Sequence, residues 1–132
     1  MPMEKEITVV AAEACGWPNL TRLPNGEVIC AYFNAPSHGL EEGDLVCSAS
    51  ADGGRNWESR GVAAPHPEGG NRMHLAVGLA GNGDLLAFSS GFFVEDEEFT
   101  GFAGQWLSRS PGSTRRCGHA WRFCAGGARS GR

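Results

Sequence analysis

One seven-residue phrase occurs twice in this chain of 132 residues, and it restricts the fold more than any other feature. Asn25-Gly26-Glu27-Val28-Ile29-Cys30-Ala31 returns 57 positions later as Asn82-Gly83-Asp84-Leu85-Leu86-Ala87-Phe88. Asn-Gly ahead of an apolar run is a strong short-range hairpin signal, because both residues tolerate the positive φ of a tight turn. An apolar run precedes each turn, at 17–23 and at 74–80, so each copy opens with a hairpin. Third strands are expected at 45–50 and 105–110. Fourth strands are expected from near Trp57 and at 120–124, around Trp121. The surplus residues of the second copy fall in 91–104, read as a long loop carrying Glu95-Asp96-Glu97-Glu98, a solvated acidic run. A further strand is expected at 7–11. No window shows helical periodicity.

Two units of four short antiparallel strands, each roughly 57 to 64 residues long, predict an all-β chain organised as propeller blades rather than a sandwich. The expected units cover about 12–63 and 72–124. Twenty glycines, roughly twice average usage, suit many short strands joined by tight turns. Two blades cannot close a ring, since propellers have about four or more, and the open blade edges invite self-association.

A formal charge of −4 argues against nucleic acid or an anionic membrane as the main partner. No stretch approaches the roughly 20 apolar residues of a membrane-spanning helix, so no membrane partner is expected. No basic region followed by an apolar run is visible at the start, and a soluble cytoplasmic location is the default expectation. The five cysteines (Cys15, Cys30, Cys47, Cys117 and Cys124) include no C-x-x-C pair. They read as reduced structural thiols, with one disulfide or a metal site as the alternatives.

Ser50-Ala51-Asp52-Gly53-Gly54-Arg55-Asn56-Trp57 matches the pattern S-x-D-x-G-x-x-W at every fixed position. Asp52 accepts backbone N–H groups of the turn, and Trp57 folds its ring beneath it, so Ser50, Asp52, Gly54 and Trp57 form a structural staple. Together with 17–26, Asn71-Arg72-Met73 and 82–86, this resembles the opening of a sialidase-family protein with BNR (Asp-box) repeats, over about residues 12–107. The resemblance implies a six-bladed β-propeller of the sialidase type, with sugar bound at the mouth of the central channel and the Asp box on the opposite face. It implies an exo-acting glycoside hydrolase acting on a carbohydrate or glycoconjugate, with no cofactor and no metal. Thr114-Arg115-Arg116-Cys117-Gly118-His119-Ala120-Trp121 echoes the box, with Arg116 where the Asp belongs. A guanidinium cannot accept those hydrogen bonds. All fifteen acids lie at or before Glu98, and six of the eleven basic residues are arginines from Arg109 onward. The tail at about 108–132 therefore reads as having left the family pattern, through truncation, a frame shift or decay of a repeat, and the chain as an N-terminal fragment.

Sialidases grip the substrate carboxylate with three arginines, because planar forks bind carboxylates bidentately. The first family arginine opens an Arg-Ile-Pro motif; here the matching tripeptide is Gly16-Trp17-Pro18. Arg22-Leu23-Pro24 is similar by letter but sits at the wrong end of its strand. The family's acid/base Asp lies in the loop before the third strand, where 34–44 offers His38, Glu41, Glu42 and Asp44 as candidates for proton transfer, the alternative being a solvated polar loop. Arg72 and His74 enter the second unit at the same end, as ligand contacts or as a strand-end charge and a packing residue. Trp17 is a candidate stacking platform. The only tyrosine, Tyr32, lies inside a strand and reads as structural. With Gly16 in place of the arginine and later blades missing, the chain is expected to be inactive alone. The alternative is a non-catalytic propeller module that binds a glycan or a protein.

Overall fold

The computed structural model describes residues 4–111 and 121–126, with 122–126 described by their backbone alone. The chain is all-β. Among the described residues eight strands run in sequence: β1 (Asn19–Arg22), β2 (Val28–Phe33), β3 (Leu45–Ser50), β4 (Glu58–Ala64), β5 (His74–Leu79), β6 (Leu85–Glu95), β7 (Glu98–Ser110) and β8 (Arg122–Gly126). They form two antiparallel meanders, β1-β2-β3-β4 and β5-β6-β7-β8. Among the described residues no helix is long and apolar enough to cross a membrane.

The repeated phrase sets the same register twice. Leu20 pairs with Cys30 in the first sheet, and their repeat mates Val77 and Ala87 pair in the second. In each turn the Asn side chain accepts a backbone N–H two residues on, Asn25 from Glu27 at 3.0 Å and Asn82 from Asp84 at 3.1 Å. Gly26 and Gly83 take φ of 91° and 87°, a region in which a side chain is strained.

Strand alternation then sorts the side chains into faces. Ile29, Ala31, Leu45, Cys47, Ala49 and Ala63 point from the first sheet onto Leu85, Ala87, Leu75, Val77 and Trp106 of the second. Three side chains stitch this interface: Thr21 Oγ1 donates to Val77 O (3.0 Å), Val77 N donates to Asn19 Oδ1 (3.1 Å), and Ser108 Oγ donates to Ala63 O (2.7 Å). Each satisfies a backbone group that burial would otherwise orphan. Cys30 and Cys47 are buried free thiols, and Cys15 is a free, half-buried one. Burial, aided by neighbouring Cys30, pushes the Cys47 thiol up to about 12.

Three expectations need correction. Residues 91–104 are not a loop: β6 and β7 extend through them as a long hairpin, with Phe92 opposite Phe102 and Glu95 opposite Glu98. Phe92, Phe93, Phe99 and Phe102 lie along this hairpin, while the acids cluster at its exposed tip, where Asp96 and Glu97 make the turn with positive φ. Residues 7–11 form no strand. Side chains hold that segment over the Asp-box turn, through Thr8 Oγ1 to Gly54 O (2.6 Å) and an exposed Arg55–Glu6 ion pair at 3.4 Å. The first strand is also shorter than expected, starting at Asn19 after Trp17 (φ 40°) and Pro18. Residues 114–120 of the broken box lie outside the described residues.

The Asp-box staple forms as its chemistry requires. Asp52 Oδ1 accepts the backbone N–H groups of Arg55 (3.0 Å) and Asn56 (2.9 Å), and Oδ2 accepts Asn56 Nδ2 at 2.6 Å. Ser50 Oγ donates to Asp52 Oδ1 and accepts from Gly54 N, both at 2.8 Å, while Trp57 Nε1 donates to Gly54 O at 2.9 Å. The Asn56 hydrogen bonds, followed by that of Ser50, hold the Asp52 carboxyl well below the usual carboxylate range. A depressed carboxylate stabilises the fold above its unfolded-state pKa, and that contribution is lost as pH falls through the folded value. Melting temperature should therefore drop more steeply below about pH 4 in the native chain than in Asp52→Asn, which melts lower at pH 7. Parallel thermal melts at pH 7 and pH 3 measure this, and equal slopes for the two proteins would contradict it.

Candidate functional site

Because the strands alternate in direction, the 34–44 connection, the 65–73 connection and the β6–β7 hairpin all project from the end opposite the Asp box. Asn71 joins them. Its side chain is fully buried; Nδ2 donates to Gly39 O at 2.6 Å, and Oδ1 accepts Phe92 N at 3.1 Å. Its backbone N–H donates to Phe92 O (3.0 Å), and the next residue, Arg72, donates N–H to Gly43 O (3.0 Å). Gly91 makes this approach possible, since a Cβ there would lie 2.0 Å from Asn71 O.

Within the 34–44 connection, Asp44 N donates to Asn34 Oδ1 at 2.8 Å and Glu41 Oε1 accepts Ser37 N at 2.9 Å. Glu41 thus caps its own loop. Glu42 reaches across to accept the backbone N–H of Gly69. Asp44 Oδ1 accepts the backbone N–H of His66 at 2.8 Å and lies 2.6 Å from His66 Nδ1. A carboxylate can only accept, so Nδ1 carries a proton and Nε2 turns away from Asp44. Glu42 stands 3.9 Å from that Nε2. Both partners of the Asp44–His66 pair are partly exposed, at 20% and 34% of their side chains, so the pair is open to a ligand.

His38 is exposed, its ring set edge-on to Trp17 at 4.6 Å, with Phe33 behind Trp17 at 6.1 Å. Gly16 O accepts Phe33 N at 3.0 Å, so the backbone before Trp17 is anchored to the end of β2. A second aromatic group follows on the β6–β7 hairpin, where Phe92 touches exposed His74, Phe99 and Phe102 at 5.5, 4.9 and 6.4 Å.

Arg72 stands differently from its expected place at a ligand. Only 5% exposed, it donates Nε to Pro65 O (3.0 Å) and Nη1 to Gly104 O (3.1 Å), and its guanidinium lies 5.4 Å from the Trp106 ring centroid. Burial lowers its pKa, yet an arginine stays charged. Here the fork braces the 65–73 connection against β7. Tyr32, as expected, is structural, with its hydroxyl 3.3 Å from Ser48 Oγ.

The loop end carries His38, Glu41, Glu42, Asp44, His74 and Trp17, with Arg72 buried in its bonds to Pro65 and Gly104. Sequence reasoning missed His66 and Asn71. The prolines flanking His66 were the available signal, since Pro65-His66-Pro67 predicts a stiff extended connection that holds a side chain in place.

No family model matches the chain, and no curated protein matches it. Among solved structures, the crystal structure of a protein of unknown function from Dyadobacter fermentans DSM 18053 shares the fold, with a TM-score of 0.65 and 20% identity. The match covers 88% of this chain and 37% of that one, so the chain spans little more than a third of its neighbour's length. At that identity the likeness shows the fold alone.

Asn71→Ala would strip partners from buried Gly39 O and Phe92 N–H, and we expect a loss of about 2–4 kcal/mol in denaturant unfolding. Gly91→Ala should cost about 1–3 kcal/mol by overpacking against the same residue. A loss under about 0.5 kcal/mol in either variant would contradict the hub.

Proposed function

We propose that this chain is a segment of a sialidase-like β-propeller whose loop end recognises carbohydrate, and that it has no hydrolytic activity of its own. The observation that carries the reading is the division of labour between the two ends. One end closes on a complete Asp-box staple. The other presents partly exposed aromatic rings beside paired polar groups. Sugars are bound by such combinations, with ring faces stacking on aromatic side chains and hydroxyls taking up hydrogen bonds.

The ligand is a neutral sugar on this reading. Carboxylate capture needs open arginine forks. The position that matches the family's first arginine is Gly16, and Arg72 is buried in braces to Pro65 and Gly104. A second reading, proton transfer in a longer parent protein, is favoured by one observation: Asp44 orients His66 from the loop that carries the family's acid/base residue. General-base chemistry uses an imidazole held in one tautomer by a carboxylate.

A glycan array followed by calorimetry should find binding to neutral sugars, weakened roughly tenfold by Trp17→Ala, with no turnover. Release of sialic acid, or of a fluorophore from a fluorogenic glycoside, by the purified chain would overturn the non-hydrolytic reading. Should turnover appear, its loss in His66→Gln with binding retained would assign the proton transfer to the Asp44–His66 pair.

A further inference from the structure

The two sheets pack front to back, and this leaves the chain with two unlike apolar faces that match the halves of the interface it already buries. In the first sheet Asn19, Ile29, Ala31 and Cys47 point onto the second sheet. Their ladder mates in the second sheet are Ala76, Leu86, Phe88 and Leu107, which hold the corresponding registers. These point the other way, outward, and line a shallow groove of about 360 Å³ with Gly78. Phe88 is 46% exposed there. Conversely, Val77, Leu85 and Ala87 of the second sheet pack inward, while their mates Leu20, Val28 and Cys30 belong to the back of the first sheet. That back face opens as a groove of about 600 Å³, where Pro18, Leu20, Cys30 and Trp57 form the apolar floor and Glu6 and Arg55 line the rim with the 6–10 segment. Leu20 is 65% exposed, and Ile7 and Val9 on the neighbouring segment are 90% and 75% exposed.

We propose that copies of this chain associate head to tail, the outer face of the second sheet of one copy seating on the back of the first sheet of the next. The interface repeats the one within the chain: an outer-face residue such as Phe88 occupies the role of Ala31, and the Leu20–Cys30 row receives it as the Val77–Ala87 row receives Ala31. The two faces are unlike, so the contact is heterologous; it forms a ring if the rotation closes and a filament if it does not. Faces rather than strand edges carry the association, because the apolar surface lies on the faces. The inference concerns this chain as it stands, without the further blades that the proposed parent would supply, and holds whether or not the loop end binds a sugar.

Heterologous contact makes a specific demand on mixtures. Phe88→Asp disables one face and Leu20→Asp the other, and both residues are exposed enough that the fold should survive, which circular dichroism checks. In sedimentation velocity the native chain should form species larger than a monomer that grow with concentration. Each variant alone should sediment as a monomer, and an equimolar mixture should form a dimer through the one intact pair of faces. If either aspartate variant fails to fold, Phe88→Ser and Leu20→Ser are measured instead, each weakening association by roughly tenfold. A native chain that stays monomeric at high micromolar concentration overturns the proposal and assigns these faces to further sheets of a longer polypeptide. Monomers in the mixture, beside an oligomeric native chain, overturn it in favour of a like-to-like contact.

Discussion

A single buried amide organises the loop end of this molecule, opposite the Asp box. Asn71 has no exposed surface, and its side chain binds Gly39 O on one side and Phe92 N–H on the other. Its backbone lies against Gly43 and Phe92. A buried primary amide without partners would be strongly destabilising, so the two segments that supply these partners, the 34–44 connection and β6, must hold their positions against it. The placement of Asp44, His66, Arg72 and Phe92 follows from that requirement. Arg72 follows Asn71 in the chain, whereas Phe92 and the 39–43 stretch beside Asp44 come from other segments and are held there by hydrogen bonds to Asn71.

The opposite end is built on different physics. Asp52 satisfies the N–H groups of Arg55 and Asn56 within its own turn, and Trp57 closes onto Gly54 O. Everything needed lies within eight residues, and the turn demands nothing from the second sheet. Between the two ends, the sheets approach through small residues: Ala31, Ala49, Ala63 and Ala87 are at most 2% exposed. Small side chains bring the backbones close enough for Thr21 and Ser108 to bond carbonyls of the facing sheet. The apolar contact supplies most of the stabilisation, and these hydrogen bonds settle the register.

Arginine use bears on function. An exposed fork would suit an anionic ligand, but Arg72 instead braces Pro65 and Gly104 and lies over Trp106. Arg60 is likewise buried, paired with Glu27 and Glu58 near the Asp-box end. What remains open at the loop end is an oriented imidazole, carboxylates and aromatic rings. That set favours hydroxyl-rich ligands over carboxylates in the reading proposed above.

The repeated Asn-Gly turns, the strand order they impose and the Asp-box staple were legible in the sequence, because each depends on residues within a few positions of one another. The strands within 91–104 were masked by glycines, an acidic tip and the absence of a clean alternation, and only pairing across the hairpin gave those residues a strand. Nothing local marks Asp44 and His66, 22 residues apart, as partners, or tells whether the Arg72 fork turns inward or out. Local hydrogen bonding and side-chain alternation determined the units of this protein from its sequence. Only the tertiary structure decided which faces meet, which charges are buried and which groups converge at the loop end, since those depend on contacts that exist only once the two sheets have packed.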